Sequence, residues 1–226
     1  MINSDNISIV FTTKDDKNIA YHVTKDKKSV DISREILAHK YNFDPANLKY
    51  MDQIHSNIVK KVDKRSLYEK CDALVTNMKH TPLMVMVADC IPMVFYDSKK
   101  GVVAVAHAGR VGTLNNISAN VVDMMCTEFY SKVQDIQVIL GPSIQKCCYE
   151  VSTEMAHDTG YIYGKEFVKR RYIDLQGINK SQLLKKGILS ENINISDICT
   201  KCSNENYFSY RVDKRCGRFA AIVILK

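Results

Sequence analysis

The sequence predicts an α/β protein in which buried strands alternate with amphipathic helices. Short apolar runs of strand length recur, for example over 83–87 and 102–106, and segments with helical spacing of apolar residues lie between them. Near-continuous apolar strands of this kind are typical of sheets covered on both faces. The chain has 226 residues with only 9 glycines and 4 prolines. Without a linker or an internal repeat, it is predicted to form one domain over residues 1–226.

The predicted strands are apolar runs bounded by polar or turn residues. The segment 50–62 is predicted as two strands separated by a bend near 55–57. The other predicted strands, in chain order, cover 8–13, 83–87, 91–96, 102–106, 138–140, 207–210 and 219–225.

Four helices are predicted from apolar residues spaced three and four apart. The first covers 31–42, with Ile32, Ile36 and Leu37 on one face and Ser29 or Asp31 as its cap. The most regular covers 113–130, and two further helices cover 152–163 and 176–186.

Composition excludes several classes of function. The net charge of +7 is compatible with binding of a small anion such as phosphate, and equally with a charged surface that only keeps the protein solvated. Because the chain has no Trp and its lysines are scattered, the charge does not indicate nucleic-acid binding. The longest apolar run, 81–88, is too short to cross a membrane, and the N-terminus lacks the pattern of a signal peptide. We therefore expect a cytoplasmic protein without nucleic-acid or membrane partners, whose eight cysteines are mostly reduced thiols.

Three segments combine an apolar strand with a side chain that can bind a metal. They contain His55, Cys90 and His107. Two imidazoles and a thiolate are a three-ligand set for Zn²⁺ that leaves a fourth position open, and Asp89 is predicted to orient a ligand from behind. From spacing alone, His55 can equally be a surface histidine, Cys90 a small buried residue and His107 a core histidine. Cys90 can also be a nucleophile activated by an imidazole, a role that competes with metal binding.

Longer motifs carry a resemblance to a known family. The chain reads QIHS at 53–56, CDALVTN at 71–77, VADCIPMVFYD at 87–97, VAVAHAG at 103–109, CCYEV at 147–151 and FSYRVDKRCGRFAAIVIL at 208–225. In these motifs and their order it resembles the laccase-domain family, also called YfiH-like, of purine nucleoside phosphorylases.

The resemblance implies both a fold and an activity. The implied fold is one α/β domain with two mixed β-sheets packed face to face between helical layers. The implied zinc ligands are His55, Cys90 and His107. The implied activities are phosphorolysis of adenosine, inosine and 5′-methylthioadenosine and deamination of adenosine, so the expected partners are purine nucleosides and phosphate. Copper is a weaker prediction, because six histidines in all are too few for a multi-copper cluster.

Two departures from the family pattern concern phosphate binding. Where the family reads HAGWRG, this chain has Arg110 and Val111, and where it reads SYRRD, this chain has Val212. Arg110 and Arg211 are therefore the predicted phosphate donors, each one position away from a replaced arginine. Neighbouring residues on a strand point to opposite faces, so an arginine moved by one position need not reach the same phosphate. Lys214, Arg215 and Arg218 are further donors nearby.

Family context also suggests roles for four other residues. Glu150 is predicted as an acid or base, Gln53 and Cys148 as substrate-binding residues, and Asp72 as a residue that orients the loop near the metal. Each has a structural alternative, such as a turn aspartate for Asp72 and a packed thiol for Cys148.

The sequence leaves alternatives for a cysteine pair, one histidine, the function and the oligomeric state. Cys199 and Cys202 form a CxxC pair that can be half of a zinc site or a redox pair, but no second CxxC accompanies it, so a second metal is not favoured. His22 has no partner pattern and is predicted to be a surface residue or one with a local hydrogen bond. The alternative functions are a hydrolase that edits muropeptide precursors of the cell wall and a zinc-binding module with impaired catalysis. A monomer and a homodimer are both compatible with the sequence.

Overall fold

Two mixed β-sheets lie face to face, and helices cover the outer surface of each. The computed structural model describes residues 6–63 and 70–226 together with the backbone of Ile2–Asn3. The four-layer α/β arrangement confirms the predicted fold class.

The larger sheet has six strands in the order β12-β9-β7-β8-β5-β4. In chain order these strands are β4 (Val59–Lys61), β5 (Ala73–Thr76), β7 (Ile91–Asp97), β8 (Val102–Ala108), β9 (Gln137–Leu140) and β12 (Ile193–Ile195). The pairs β4–β5 and β9–β12 are parallel and the others antiparallel, so the sheet is mixed.

The smaller sheet has five strands in the order β1-β2-β13-β6-β3. They are β1 (Ile2–Asn3), β2 (Ile7–Phe11), β3 (Lys49–Tyr50), β6 (Leu83–Val87) and β13 (Phe219–Leu225). Only β3–β6 is parallel. A separate antiparallel pair consists of β10 (Val168–Lys169) and β11 (Tyr172–Ile173).

The helices flank this pair of sheets. They are α1 (Lys27–Tyr41), α2 (Arg110–Leu114), α3 (Ile117–Phe129), α4 (Thr153–Tyr163) and α5 (Leu175–Lys185). Single turns of 3₁₀ helix cover Lys14–Asp16, Tyr21–Val23, Pro45–Asn47, Val133–Asp135, Lys165–Phe167 and Ser190–Asn192. In the part of the chain that the structure describes, no helix is both long and apolar enough to cross a membrane.

Strand alternation assigns side chains to the layers and positions the site. On β8, Ala104 and Ala106 pack beneath the helices, whereas Val103 and Val105 face the other sheet. His107 continues the second series, because side chains on a strand repeat every two residues. Cys90 likewise packs at the layer between the sheets. Both residues therefore lie at one end of the inter-sheet layer.

The first helix begins earlier than predicted, and only Leu37 of its three predicted core residues is buried. The Asp26 side chain accepts a hydrogen bond from the Ser29 N–H and caps a helix that starts at Lys27. Ile32 and Ile36 are 57% and 58% exposed. The buried face contains Arg34, whose guanidinium lies 4.3 and 4.2 Å from the ring centres of Tyr21 and Tyr50. Because the charged residue Arg34 occupies an inward position, apolar periodicity did not identify the full buried face of the helix.

Three other expectations were wrong. The helix predicted over 113–130 is divided into α2 and α3, because Asn116 adopts a left-handed conformation (φ 61°) that Asn tolerates. The segment 207–210 is a loop rather than a strand, and β8 extends two residues beyond its predicted end, so His107 lies within the strand. Strands β1, β5, β10, β11 and β12 were not predicted.

The corrected face of α1 gives a stability test on adjacent residues. Leu37 is 1% exposed, so Leu37→Ala is expected to lower the free energy of unfolding by about 2–5 kcal/mol. Ile36→Ala, on the exposed face, is expected to change it by less than about 0.5 kcal/mol. Urea unfolding followed by circular dichroism measures both, and equal losses would refute the assigned face.

Candidate metal centre

Three potential ligand atoms come together from distant parts of the chain. One ligand atom each from His55, Cys90 and His107 lie within 4.8 Å of one another. His55 lies in the bend after β3 with a left-handed backbone (φ 56°), Cys90 immediately precedes β7, and His107 lies on β8. The rings of the two histidines meet edge to face with their centres 4.7 Å apart. The strand pairing of β7 with β8 brings Cys90 and His107 together, and the bend brings His55 to them.

A buried carboxylate holds both imidazole-bearing segments. Asp72 is fully buried and accepts hydrogen bonds from the His55 N–H at 3.1 Å and from the Ser56 hydroxyl at 2.7 Å. Its Oδ1 also lies 2.8 Å from His107 Nδ1. If Nδ1 carries the proton, Nε2 of His107 is left as the atom for a metal. Burial opposes ionisation, but the bonds from His107 and Ser56 outweigh it and lower the pKa of Asp72.

The sulfur of Cys90 lies in an environment that favours the thiolate. Burial alone would raise its pKa, but the adjacent His107 and His55 lower the pKa of Cys90 to about 6. The same pairing with Cys90, assisted by Asp72, raises the pKa of His107 against the effect of burial. A thiolate beside two imidazoles is the donor set that zinc prefers.

Glycine at position 109 leaves space for an ion beside these atoms. A Cβ there would lie 3.1 Å from Cys90 Sγ, 3.2 Å from His55 Cδ2 and 3.6 Å from His107 Nε2. The backbone φ of Gly109 is −73°, which any residue can adopt. A side chain at position 109 would therefore crowd the ligand atoms, although the backbone itself would tolerate it. The donor set and this hollow together fit a single metal ion.

The three candidate ligand residues line a cleft of about 540 Å³ between the two sheets and the C-terminal loops. Arg218, Tyr210 and His22 also line it. His22 is exposed, as predicted, but it also lines the cleft, to which nothing in its neighbouring sequence pointed. Partial burial and the nearby Arg218 lower the pKa of His22, which favours the neutral imidazole.

Gln53 lines the cleft with its amide already engaged. Its Nε2 donates to the Met86 carbonyl at 2.8 Å, and its Oε1 accepts from the Met86 N–H at 2.9 Å. These two bonds tie the segment before His55 to the end of β6.

Asp89 joins loops around the cleft. It has a positive φ of 88°, and its two carboxylate oxygens accept hydrogen bonds from the Thr200 hydroxyl and the Arg211 N–H, each at 2.7 Å. Asp89 therefore ties the loops that contain Thr200 and Arg211 to the bend that carries Cys90.

The predicted phosphate donors Arg110 and Arg211 converge on a tyrosine beside the cleft. The Arg211 guanidinium lies 5.1 Å from the centre of the Tyr149 ring and donates to the Glu150 carbonyl. Burial raises the pKa of Tyr149, while Arg110 and Arg211 act in the opposite direction. Tyr149 was not predicted as a site residue, although the CCYEV motif contains it.

Glu150 and Cys148 make other contacts. The Glu150 carboxylate forms an ion pair with Arg171. Cys148 lies among Cys147, Cys199 and Cys202. Val212, which replaces a family arginine, is 68% exposed.

The chain is similar in sequence to one family of proteins over most of its length. A family model described as multi-copper polyphenol oxidoreductase laccase matches residues 10–226. A purine nucleoside phosphorylase YlmD of Bacillus subtilis is 30% identical over 92% of this chain and 82% of its own length. An adenosine deaminase RL5 from an unknown prokaryotic organism is 34% identical over 86% of this chain and 80% of its own.

A solved structure agrees with the fold and the family. The crystal structure of the YfiH protein of Bacillus licheniformis has a TM-score of 0.89 and 27% identity, covering 97% of this chain and 93% of that chain. The four-layer fold, the clustered ligands and the match over residues 10–226 agree with one another. The chain is an enzyme that belongs to the laccase-domain, YfiH-like family.

Proposed function

We propose that the cleft is the active site of a zinc-dependent purine nucleoside enzyme, which cleaves adenosine, inosine and 5′-methylthioadenosine with phosphate and deaminates adenosine. The observation that carries the proposal is the cluster of His55, Cys90 and His107 at the end of a cleft. The relatives named purine nucleoside phosphorylase and adenosine deaminase support the choice of substrate class.

In this proposal His55, Cys90 and His107 hold one zinc ion. A bound zinc supplies Lewis acidity toward a water or substrate oxygen at neutral pH. Asp72 keeps the His107 ring oriented and stabilises the bend at His55. The single three-residue set provides a mononuclear site, which makes zinc a better match than the copper cluster in the family's description.

Phosphorolysis requires a cation for phosphate. The C1′–nitrogen bond of the nucleoside breaks as a phosphate oxygen bonds to C1′, and the leaving purine takes up a proton. Arg218 is the guanidinium that lines the cleft with the ligands, and its described hydrogen bonds use only Nη1. We assign phosphate contact to Arg218. Arg110 and Arg211 instead contact Tyr149 and are not among the residues that line the cleft.

Deamination requires proton transfer near the purine ring. Water adds to C6 and ammonia leaves, so a group in the cleft must take a proton and return one. His22 lines the cleft, and its lowered pKa favours the neutral imidazole that can accept a proton, which qualifies it for this role in the proposal. Glu150 remains a predicted acid or base, although its carboxylate pairs with Arg171.

The activity test incubates metal-replete protein with adenosine and phosphate and separates the products by chromatography. We expect adenine with ribose-1-phosphate from phosphorolysis, and inosine from deamination. Cys90→Ser is expected to lower kcat/KM by more than about 100-fold, since even residues behind metal ligands contribute about 10–100-fold. Cys126→Ser, a free cysteine on α3 away from the cleft, is the matched control and should leave turnover unchanged.

Two outcomes would contradict this account. Zinc bound without any product would favour the catalytically impaired module that Val111 and Val212 suggest. Full activity after a chelator has removed all metal would assign Cys90 the role of a nucleophile instead.

A second prediction concerns the hollow at Gly109. Gly109→Ala places a methyl group 3.1 Å from the Cys90 sulfur. Zinc affinity is expected to fall about tenfold or more, since overpacking typically costs about 1–3 kcal/mol. Competition with a chromophoric chelator measures the affinity. The control is Gly160→Ala on α4, where the new Cβ meets Val168 at an ordinary 3.6 Å, and unchanged affinity in both variants would refute the assigned metal position.

A third prediction concerns Asp72 as a positioning residue. Asp72→Asn removes the negative charge that faces His107 and the Ser56 hydroxyl. Zinc affinity is expected to fall about 10–100-fold. The control is Asp52→Asn, because no described hydrogen bond joins that cleft carboxylate to His55 or His107. Equal zinc affinities for the two variants and the unaltered protein would show that Asp72 does not orient the ligands.

A further inference from the structure

Four cysteines from two separate loops meet near the end of the larger sheet. Strands β9 and β12 are parallel neighbours, so their carboxyl ends deliver the following loops to the same place. The Cys199 loop then pairs with the loop after β9, through a bridge to Ser143 and a hydrogen bond from the Thr200 N–H to the Ser143 carbonyl. This pairing places Cys199 and Cys202 beside Cys147 and Cys148.

The four sulfur atoms have the separations of a metal-binding set. All lie within 4.8 Å of one another, and the sulfurs of Cys147 and Cys202 are 3.6 Å apart. Four sulfurs bonded tetrahedrally to zinc at about 2.3 Å are separated from one another by about 3.8 Å. Cys199 and Cys202 also have the C-x₂-C spacing common in such sites. The sequence alone did not favour a second metal, because the other two cysteines are adjacent rather than in a second CxxC.

We propose that Cys147, Cys148, Cys199 and Cys202 bind a structural zinc ion, distinct from the metal centre in the cleft. The four thiols lose four protons to solvent as four Zn–S bonds form, so the bound cluster carries a charge of about −2. Because the four-cysteine site shares no ligand with the cleft, the inference does not depend on the proposed enzymatic function.

The surroundings of Cys199 support thiolate formation. Burial opposes it, but backbone N–H groups of Gln145, Cys202 and Lys201 point at its sulfur and lower the pKa of Cys199 to about 7. Burial, Cys202 and Cys199 raise the pKa of Cys148 to about 11 against the opposite effect of Cys147. Burial and the neighbouring thiols also raise the pKa of Cys147. One thiolate beside further thiols opposes their ionisation, and a divalent cation among them removes that opposition.

A disulfide explains the cluster less well. A disulfide between Cys147 and Cys202 would use two of the four sulfurs and leave Cys148 and Cys199 beside it without a role. It would also require an oxidant, and an S–S distance near 2.05 Å in place of 3.6 Å. A tetrahedral ion uses all four groups where they lie.

The proposed zinc would fasten two loops that also reach the cleft. Thr200, between the two cysteines of the CxxC pair, donates its hydroxyl to Asp89 in the bend that carries Cys90. Tyr149, which contacts Arg211, directly follows Cys148. Loss of the four-cysteine zinc is therefore expected to loosen the loop contacts of Asp89 without removing any ligand of the cleft metal.

The test measures zinc content by elemental analysis and zinc–sulfur distances by X-ray absorption. Purification uses a thiol reductant and no chelator. The double variant Cys147→Ser/Cys202→Ser changes only the two exposed cysteines, so folding should survive. We expect it to contain one zinc ion fewer per chain than the unaltered protein. Cys126→Ser is the control and should retain the full content.

The cleft is emptied by Cys90→Ser so that the remaining zinc can be examined alone. We expect four sulfur neighbours at about 2.3 Å in that variant. If the cleft holds no zinc, Cys90→Ser leaves the zinc content unchanged while the double variant still lowers it, so failure of the proposed function is distinguishable. Unchanged zinc content in the double variant, iron in place of zinc, or a Cys147–Cys202 disulfide in peptide maps of the non-reduced protein would each overturn the proposal.

Discussion

The buried carboxylate of Asp72 accepts hydrogen bonds from both segments that carry an imidazole, and the cleft depends on this arrangement. A buried charge is costly unless it is hydrogen-bonded. Bonds to a charged group contribute about 1.5–3 kcal/mol each. The bend at His55, with its left-handed backbone, and the ring of His107 are thereby fixed by one group. Cys90 immediately precedes β7 and Gly109 immediately follows β8, so the pairing of these two strands determines the positions of both residues.

The two sheets determine where this arrangement can occur. Strand alternation directs His107 toward the layer between the sheets, while Ala106 and Ala108 pack under the helices. Gln53 ties the segment before His55 to β6 of the smaller sheet. Ligands therefore come from both sheets, and the cleft lies where the layer between them opens to solvent. Asp89 closes the arrangement by fixing the C-terminal loops to the same bend.

Much of the fold could be predicted because its strands are nearly continuous apolar runs. Strands β6 and β13 agree with the predicted bounds, since both faces of these strands are buried. The buried face of α1 was predicted only in Leu37, because Arg34 occupies that face and is stabilised by Tyr21 and Tyr50. The division of 113–130 depends on one left-handed asparagine, which apolar periodicity does not report.

The site was predictable where motifs are local and not where it depends on tertiary packing. His55, Cys90 and His107 were proposed as ligands from strand ends and family motifs, and the structure brings them together. His22 lines the cleft only through folding, so no local pattern indicated it, whereas Tyr149 lies in the CCYEV motif but its contacts with Arg110 and Arg211 form only in the folded protein. The four-cysteine cluster was missed for the same reason, because its halves meet only through the parallel pairing of β9 with β12.

The most direct measurement is anomalous X-ray diffraction at the zinc edge from crystals of protein purified without chelator. The account predicts an anomalous peak in the cleft about 2.0–2.1 Å from a nitrogen each of His55 and His107, and about 2.3 Å from the sulfur of Cys90. Zinc-replete crystals with no peak bonded to these three atoms would contradict it.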